Sequence, residues 1–189
     1  MNMATPDGAI GGTATVNAAG REVTRGADSA LPINALTIRL DDELFAVEAG
    51  LVREILEIVP ITAVPNAPEF VGGLINVRGR VVPLADLRVM FGMDRRPADQ
   101  DTRIVVMEVP IAGEATVVGI LADRVHDVAE IERASIERPP RVGMRWRPEF
   151  VKGIGKRAGG FIIIPDMERI FETPDGTSPS SASDERVAK

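Results

Sequence analysis

The chain has 189 residues, 44% of them apolar, with a net charge of −6 and no cysteine. That length builds one domain or two small ones, and the missing thiols exclude disulfides and thiolate metal sites. The apolar runs, VVGILA among them, fall well short of the ~20 residues that span a bilayer. The N-terminus carries no basic region followed by an apolar block, so no secretory signal is read; a cytoplasmic protein without direct membrane insertion is expected.

Residues 1–34 are rich in Gly, Ala, Thr and Asn without periodicity, and residues 173–189 read TPDGTSPSSASDERVAK. Neither stretch buries enough apolar surface to offset its ordering entropy, so both are expected as disordered tails around a folded region at 35–172.

Within that region short β-branched runs follow one another: LTIRL, ELFAV, LINV, RVVPL, RIVVMEV, ATVVGIL and FIIIP, separated by turn signals at DD, RG, AG and GG. The spacing predicts small barrels or sandwiches. The DDE run from Asp41 is expected as a hairpin turn, since it lacks the alternating ligands of a calcium loop. Two stretches read as helices. GLVREILEIV puts Val52, Ile55, Leu56 and Val59 along one face, and ADLRVMFG is closed by Gly92; both are expected to cap open barrel ends.

The chain also repeats itself. At a constant offset of 80, Pro68, Glu69, Phe70, Val71, Gly73, Gly79, Asp86 and Phe91 recur as Pro148, Glu149, Phe150, Val151, Gly153, Gly159, Asp166 and Phe171. A weaker echo at offset 73 lays FAVEAGLVREI over VVGILADRVHDV, pairing Val52 with Val125 and Glu54 with Asp127. Two related β units are therefore expected, packed side by side, with a binding groove between them.

Catalytic chemistry finds little to use. Cysteine and tyrosine are absent, Ser135 is the only serine outside the tails, and the sole histidine, His126, has Asp127 as its chain neighbour. Adjacent residues on a strand or helix point in different directions, so Asp127 is badly placed to orient His126, and no serine completes a triad. GIGKRAGG satisfies a loose glycine-loop pattern, but a β-branched run follows it where a dinucleotide loop opens a helix. Gly159-Gly160 is therefore expected as a hairpin turn.

Charge is uneven. Residues 39–57 hold two basic and six acidic side chains, whereas the stretch between Arg138 and Arg157 holds seven basic and one acidic. With Trp146, that second stretch makes a nucleic-acid or phosphate-binding module the alternative reading. Against it stand an aromatic content of 4% and phenylalanines that mostly sit at core-like positions.

In NVRGRVVP the turn is expected at Arg78-Gly79, with Gly79 supplying a positive φ and Arg78 held on the hairpin tip. The second copy reads KRAGG there, so Ala158 stands in place of Arg78 and the arginine reads as an addition to one copy.

The ordered segments VREIL, VPNAPEFVGGLINVRGRVVPLADLRVMFG, VVGILADRVHDV and FVKGIGKRAGGFIIIPDMERIF closely resemble the CheW family of chemotaxis coupling proteins over about residues 35–172. Ala122 and Pro165 depart from the family's common Val and Leu. The resemblance implies an all-β fold with short helices, built as two SH3-like five-stranded β-barrels packed side by side. It implies no enzyme activity and no cofactor. The implied role is an adaptor between the cytoplasmic hairpin tip of a chemoreceptor and the regulatory domain of the histidine kinase CheA. Carried over by position, Val52, Glu54, Ile55, Gly73 and Arg78 border the receptor-facing groove, with Val52 and Ile55 as apolar anchor and Gly73 fixing the turn before the hairpin. Thr102, Arg103, Gly119, Val125 and Val128 belong to the kinase-facing surface.

Overall fold

The computed structural model describes residues 31–140, 146–157 and 160–173. The expected tails lie almost wholly outside the described residues, as do Ala158 and Gly159 of the second hairpin turn.

Among the described residues, ten strands and two short α-helices lie in the compact unit Pro32–Lys189. The strands are β1 (Ile33–Leu40), β2 (Glu43–Glu48), β3 (Val52–Leu56), β4 (Val71–Val77), β5 (Arg80–Ala85), β6 (Arg103–Ile111), β7 (Glu114–Ala122), β8 (Arg124–Ile131), β9 (Val151–Arg157) and β10 (Gly160–Pro165). The helices are α1 (Leu87–Met90) and α2 (Met167–Glu172). They form two five-stranded sheets, β8-β1-β2-β10-β9 and β3-β6-β7-β5-β4, here barrels A and B.

This order explains the two offsets. The offset of 80 carries β4, β5 and α1 onto β9, β10 and α2; the offset of 73 carries β2 and β3 onto β7 and β8. Each half of the chain gives two strands to one barrel and three to the other. The crossings fall at Ala49–Leu51, between β2 and β3, and at Asp123, between β7 and β8.

The repeated residues build the same corner twice. The amide of Asp86 donates to the carbonyl of Phe70 at 2.8 Å, and that of Asp166 to Phe150 at 2.8 Å. Both phenylalanines are buried, and both aspartates cap the helix that follows.

One expected helix is a strand. GLVREILEIV forms a 3-10 turn, Ala49–Leu51, followed by β3, which pairs with β6 through Glu54↔Val106, Ile55↔Val105 and Leu56↔Ile104. The helical spacing of Val52, Ile55, Leu56 and Val59 is overridden by an open sheet edge, and Pro60 then ends the run. The other expected helix is present as α1, with Gly92 at φ 65° beyond it. Leu87 and Met90 enter the core between the barrels rather than cap a barrel end.

Period-two alternation sets where the core lies. On β6, Ile104 and Val106 face the interior of barrel B with Ile75, Val77, Val82 and Leu84. Val105, Met107 and Val109, on the other face, meet Leu36, Ile38, Leu40 and Phe45 from barrel A. Strand β6 is thus apolar on both faces, and only barrel-on-barrel packing removes both from water. Each such side chain contributes about 1.5–3 kcal/mol.

A buried ionic cluster spans the same junction. Arg88 and Asp86 are each 4% exposed, and Arg88 Nε donates to Asp86 Oδ1 at 2.8 Å while its Nη1 donates to Asp123 Oδ1 at 2.7 Å. Asp123 accepts from the amide of Asp41 at 2.6 Å and gives its own amide to the carbonyl of Arg39 at 3.0 Å. One arginine therefore ties α1 to the β7–β8 crossover and, through it, to the β1–β2 hairpin.

Candidate functional site

The site is built from the ends of strands. In barrel B the interior-facing series of two strands finishes in a charged residue at one mouth: Val82 gives way to Arg80 on β5, and Val106 to Glu108 on β6. Val77, Val82, Val106 and Val117 floor a groove of about 440 Å³, and Arg53, Glu54, Arg78, Arg80 and Glu108 rim it.

Edge strands β3 and β4 are not paired with each other, and the NVRGRV hairpin bridges their seam. Arg78 has φ 52° and Gly79 φ 83°, which makes a type I′ turn, and the Gly79 amide donates to Asn76 Oδ1 at 2.8 Å. Gly79 has the positive φ expected of it. Arg78 shares it, a conformation that costs a non-glycine residue about 1–2 kcal/mol. The guanidinium donates to Glu54 Oε2 from Nε at 3.2 Å and Nη2 at 3.0 Å. These bonds and the carboxylate's charge raise the pKa of Arg78 further. Arg53 pairs with Glu108 at 2.6 Å.

This groove lies within barrel B rather than between the two barrels as expected, and the other residues expected to border it are spread more widely. Val52 is half-buried against the shared core, and Ile55 is 43% exposed, on the face of β3 opposite Glu54 and Leu56. The two do not form a single helical face. Gly73 lies inside β4 at a register shift, not in a turn. Its φ is 138°, and a Cβ there would meet Ile61 Cγ2 and the Thr62 carbonyl, both at 2.6 Å, so glycine is required for the 61–62 strap that bridges to Leu74.

The corresponding mouth of barrel A carries a different set of partners. Thr37, fully buried, donates from Oγ1 to Asp127 Oδ1 at 2.6 Å, and Arg157 Nη2 reaches Asp127 Oδ2 at 2.8 Å. Thr37 and then Arg157 hold the Asp127 carboxyl well below the usual range, at about 2. Asp127 is therefore committed to barrel A and does not orient His126. The expectation that only one copy carries a hairpin arginine is corrected: Arg157, one residue before the position of Arg78, clasps the offset-73 counterpart of Glu54.

Thr102, Arg103 and Val125 gather near the β7–β8 crossover. Arg103 pairs across the sheet with Ala122, and Arg124 forms an ion pair with Asp101. Thr102 is buried, donating to Asp99 Oδ1 at 3.0 Å; the amides of Asp101 and Thr102 and the Thr102 hydroxyl lower the pKa of Asp99. Val125 is half-buried on the shared core, whereas Val128 is 59% exposed on barrel A. Gly119 is inside barrel B, where a Cβ would meet Leu84 Cδ1 at 3.2 Å and Ile104 Cγ2 at 3.3 Å. It shapes the barrel and offers no contact surface.

The basic stretch is neutralised over much of its described length. Lys152 pairs with Glu48 at 3.1 Å, Lys156 with Glu137 at 2.7 Å, Arg157 with Asp127 at 2.8 Å and Arg147 with Glu149 at 2.6 Å. Trp146 packs edge-on against Phe91, with centroids 6.0 Å apart, rather than standing free to stack on a base. Gly153 and Gly155 of the glycine-rich phrase lie in β9. Among the described residues no helix is long and apolar enough to cross a membrane.

Sequence reasoning missed Arg53, Arg80 and Glu108. Their signal was strand parity: Arg80 lies two residues before interior-facing Val82, and Glu108 two after interior-facing Val106.

Interleaved twin barrels, with a charge-rimmed groove at the mouth of barrel B, give surfaces for docking and no constellation for catalysis among the described residues. A family model described as the CheW-like domain matches residues 34–175. A probable chemotaxis protein CheW of Rhizobium etli is 32% identical over 136 residues, covering 72% of this chain and 85% of the relative. The chemotaxis protein CheW of Klebsiella aerogenes is 29% identical over 140 residues, covering 74% of this chain and 82% of the relative. The crystal structure of the scaffolding protein TtCheW from Thermoanaerobacter tengcongensis superposes with a TM-score of 0.67 at 36% identity, covering 78% of this chain and 97% of that one. The chain belongs to the CheW family, a scaffold family of chemotaxis rather than a family of enzymes, and has its fold of two SH3-like barrels.

Proposed function

We propose that this protein couples chemoreceptors to a kinase, holding the cytoplasmic hairpin tip of a receptor beside the regulatory domain of the histidine kinase CheA. It works in the cytoplasm, reaches membrane receptor arrays only through these partners, and needs no cofactor. The observation that carries the reading is the open mouth of barrel B, where Glu54 and Arg78 stand together over an apolar floor. An apolar floor supplies affinity and a charged rim sets register, the division expected of a specific docking surface.

The kinase side of the proposal uses the crossover region. Arg103, with Thr102 and Val125 as its support, and exposed Val128 offer contact there, while Gly119 acts by keeping barrel B packed. Arg88 links α1 to Asp123 of that crossover, so a displacement at barrel B is passed on by a rigid body. Coupling then requires that the receptor's two states bind the mouth with different free energies, or reposition the kinase through it.

Calorimetric titrations test the proposal, one with a receptor hairpin-tip fragment, one with the CheA regulatory domain, and one of each against the preformed complex with the other. Both partners binding, at sites that do not compete, is expected. Failure of either to bind the intact chain contradicts the coupling role.

A further inference from the structure

The mouth of barrel B carries a charge that its own neighbours do not cancel. Arg53 is paired with Glu108 at 2.6 Å and Arg78 with Glu54 at 3.0 Å. Arg80, on the same rim, has no ion-pair partner among the described residues. Three arginines and two glutamates therefore leave the rim one positive charge in excess.

Strand parity places that charge. Arg80, Val82 and Leu84 share the face of β5 turned into the barrel; Leu84 and Val82 are buried, and Arg80 is the first residue of the strand. Its side chain thus lines the groove above the valine floor. A cation beside an apolar wall is screened less by water and salt than one on an open surface.

The duplication supplies an internal control. At offset 80, Arg80 corresponds to Gly160 and Val77 to Arg157. In barrel A the arginine stands at the inner position, locked to Asp127, and the outer position has no side chain. In barrel B the inner position is a valine and the outer one is the unpaired arginine. The two mouths have exchanged the order of cation and apolar group, so at these matched positions it is barrel B that sets an unpaired cation above an apolar floor.

We propose that Arg80 determines the specificity of this mouth by binding a carboxylate of the docking partner, adjacent to an apolar side chain that seats on Val77, Val82, Val106 and Val117. The inference rests on the receptor-facing role proposed above, and its occupant is the receptor hairpin tip, entering with an acidic residue beside an apolar one. A tip with a basic residue at that place meets an uncompensated positive charge and is rejected.

The test is titration of the full chain, as wild type, Arg80→Glu and Arg80→Lys, with a receptor hairpin-tip fragment at two salt concentrations. The expected result is roughly a tenfold loss of affinity for Arg80→Glu, near-retention for Arg80→Lys, and a smaller dependence on salt in the reversed variant. An acid-to-lysine change in the tip fragment then restores binding to Arg80→Glu. Wild-type binding with Arg80→Glu unchanged overturns the inference and leaves the coupling role standing. Loss confined to the CheA regulatory domain overturns it too, by assigning the cation to the other partner. No binding of the tip by wild type removes both the coupling role and the inference built on it.

Discussion

The two barrel mouths occupy matching places in the repeat and are built from different partners. Barrel A fills its mouth with Thr37, Asp127 and Arg157, a hydrogen-bonded plug whose carboxylate is satisfied from both sides. Barrel B has Val106 by sheet register where barrel A has Thr37, and Val77 at the offset-80 position of Arg157. Its acid, Glu54, must reach out to Arg78 on the hairpin tip. The arginine of barrel B stands one residue further around the turn, and the groove floored by Val77, Val82, Val106 and Val117 opens beside it. The plug anchors an exposed carboxylate on the buried Thr37 hydroxyl; the clasp of Glu54 and Arg78 contributes little to stability and is available to a partner.

The largest departure from symmetry lies behind the mouths. Arg88 on α1 has Glu168 as its counterpart on α2, buried and doubly paired in the first case and exposed in the second. Arg88→Ala leaves Asp86 with only the longer contact to Arg95 at 3.8 Å and Asp123 without its cation, and should destabilise the fold by about 3 kcal/mol or more, measured by urea unfolding. Glu168→Ala should stay within about 0.5 kcal/mol in the same experiment. Equal effects would mean that the ionic cluster does not hold the barrels together.

A smaller effect separates binding from folding. Arg78→Glu should weaken binding of the receptor hairpin tip by roughly tenfold or more, because it places like charge beside Glu54 and inverts the rim. The side chain of Arg78 is 82% exposed, so unfolding stability should change by no more than about 1 kcal/mol. A variant that unfolds, or one that binds as wild type, would show the clasp to be structural like its partner in barrel A.

The subtlest difference is in pH. The pKa of Asp127 is lowered from 3.8 to about 2 in the folded protein. Its contribution to stability is therefore present above about pH 4 and is lost as pH falls through about 2. Thermal melts of wild type and Asp127→Asn should differ most near pH 5 and converge as pH falls toward 2. A constant gap across that range would show that the carboxylate is not held by Thr37 and Arg157.

Much of this was legible in the residues. The offset-80 match marks the corner, hairpin and helix that both copies keep; the second offset differs because the connection from β8 to β9 is longer than that from β3 to β4, and the strand exchange, which falls between β2 and β3, leaves no mark in either offset. What misled was local. Val52, Ile55, Leu56 and Val59 carry a helical spacing on a strand whose partner, β6, lies some 50 residues away in the chain, so the deciding interaction is non-local. The plug was hidden for a similar reason: Thr37, Asp127 and Arg157 come from three distant strands, and reading the hairpins in strict alignment set Ala158 against Arg78. The groove itself required knowing strand parity at the barrel end, which turns Arg80 and Glu108 from surface charges into a rim.

The claim that barrel B alone receives the receptor is tested most directly by methyl and amide NMR on the full chain during titration with a receptor hairpin-tip fragment. The expected result is a saturable set of shifts at Val77, Val82, Val106 and Val117 and at the amides of Arg78 to Arg80, with Thr37, Asp127 and Arg157 unmoved. Shifts centred on Thr37, Asp127 and Arg157, with the valine floor of barrel B unchanged, would contradict it.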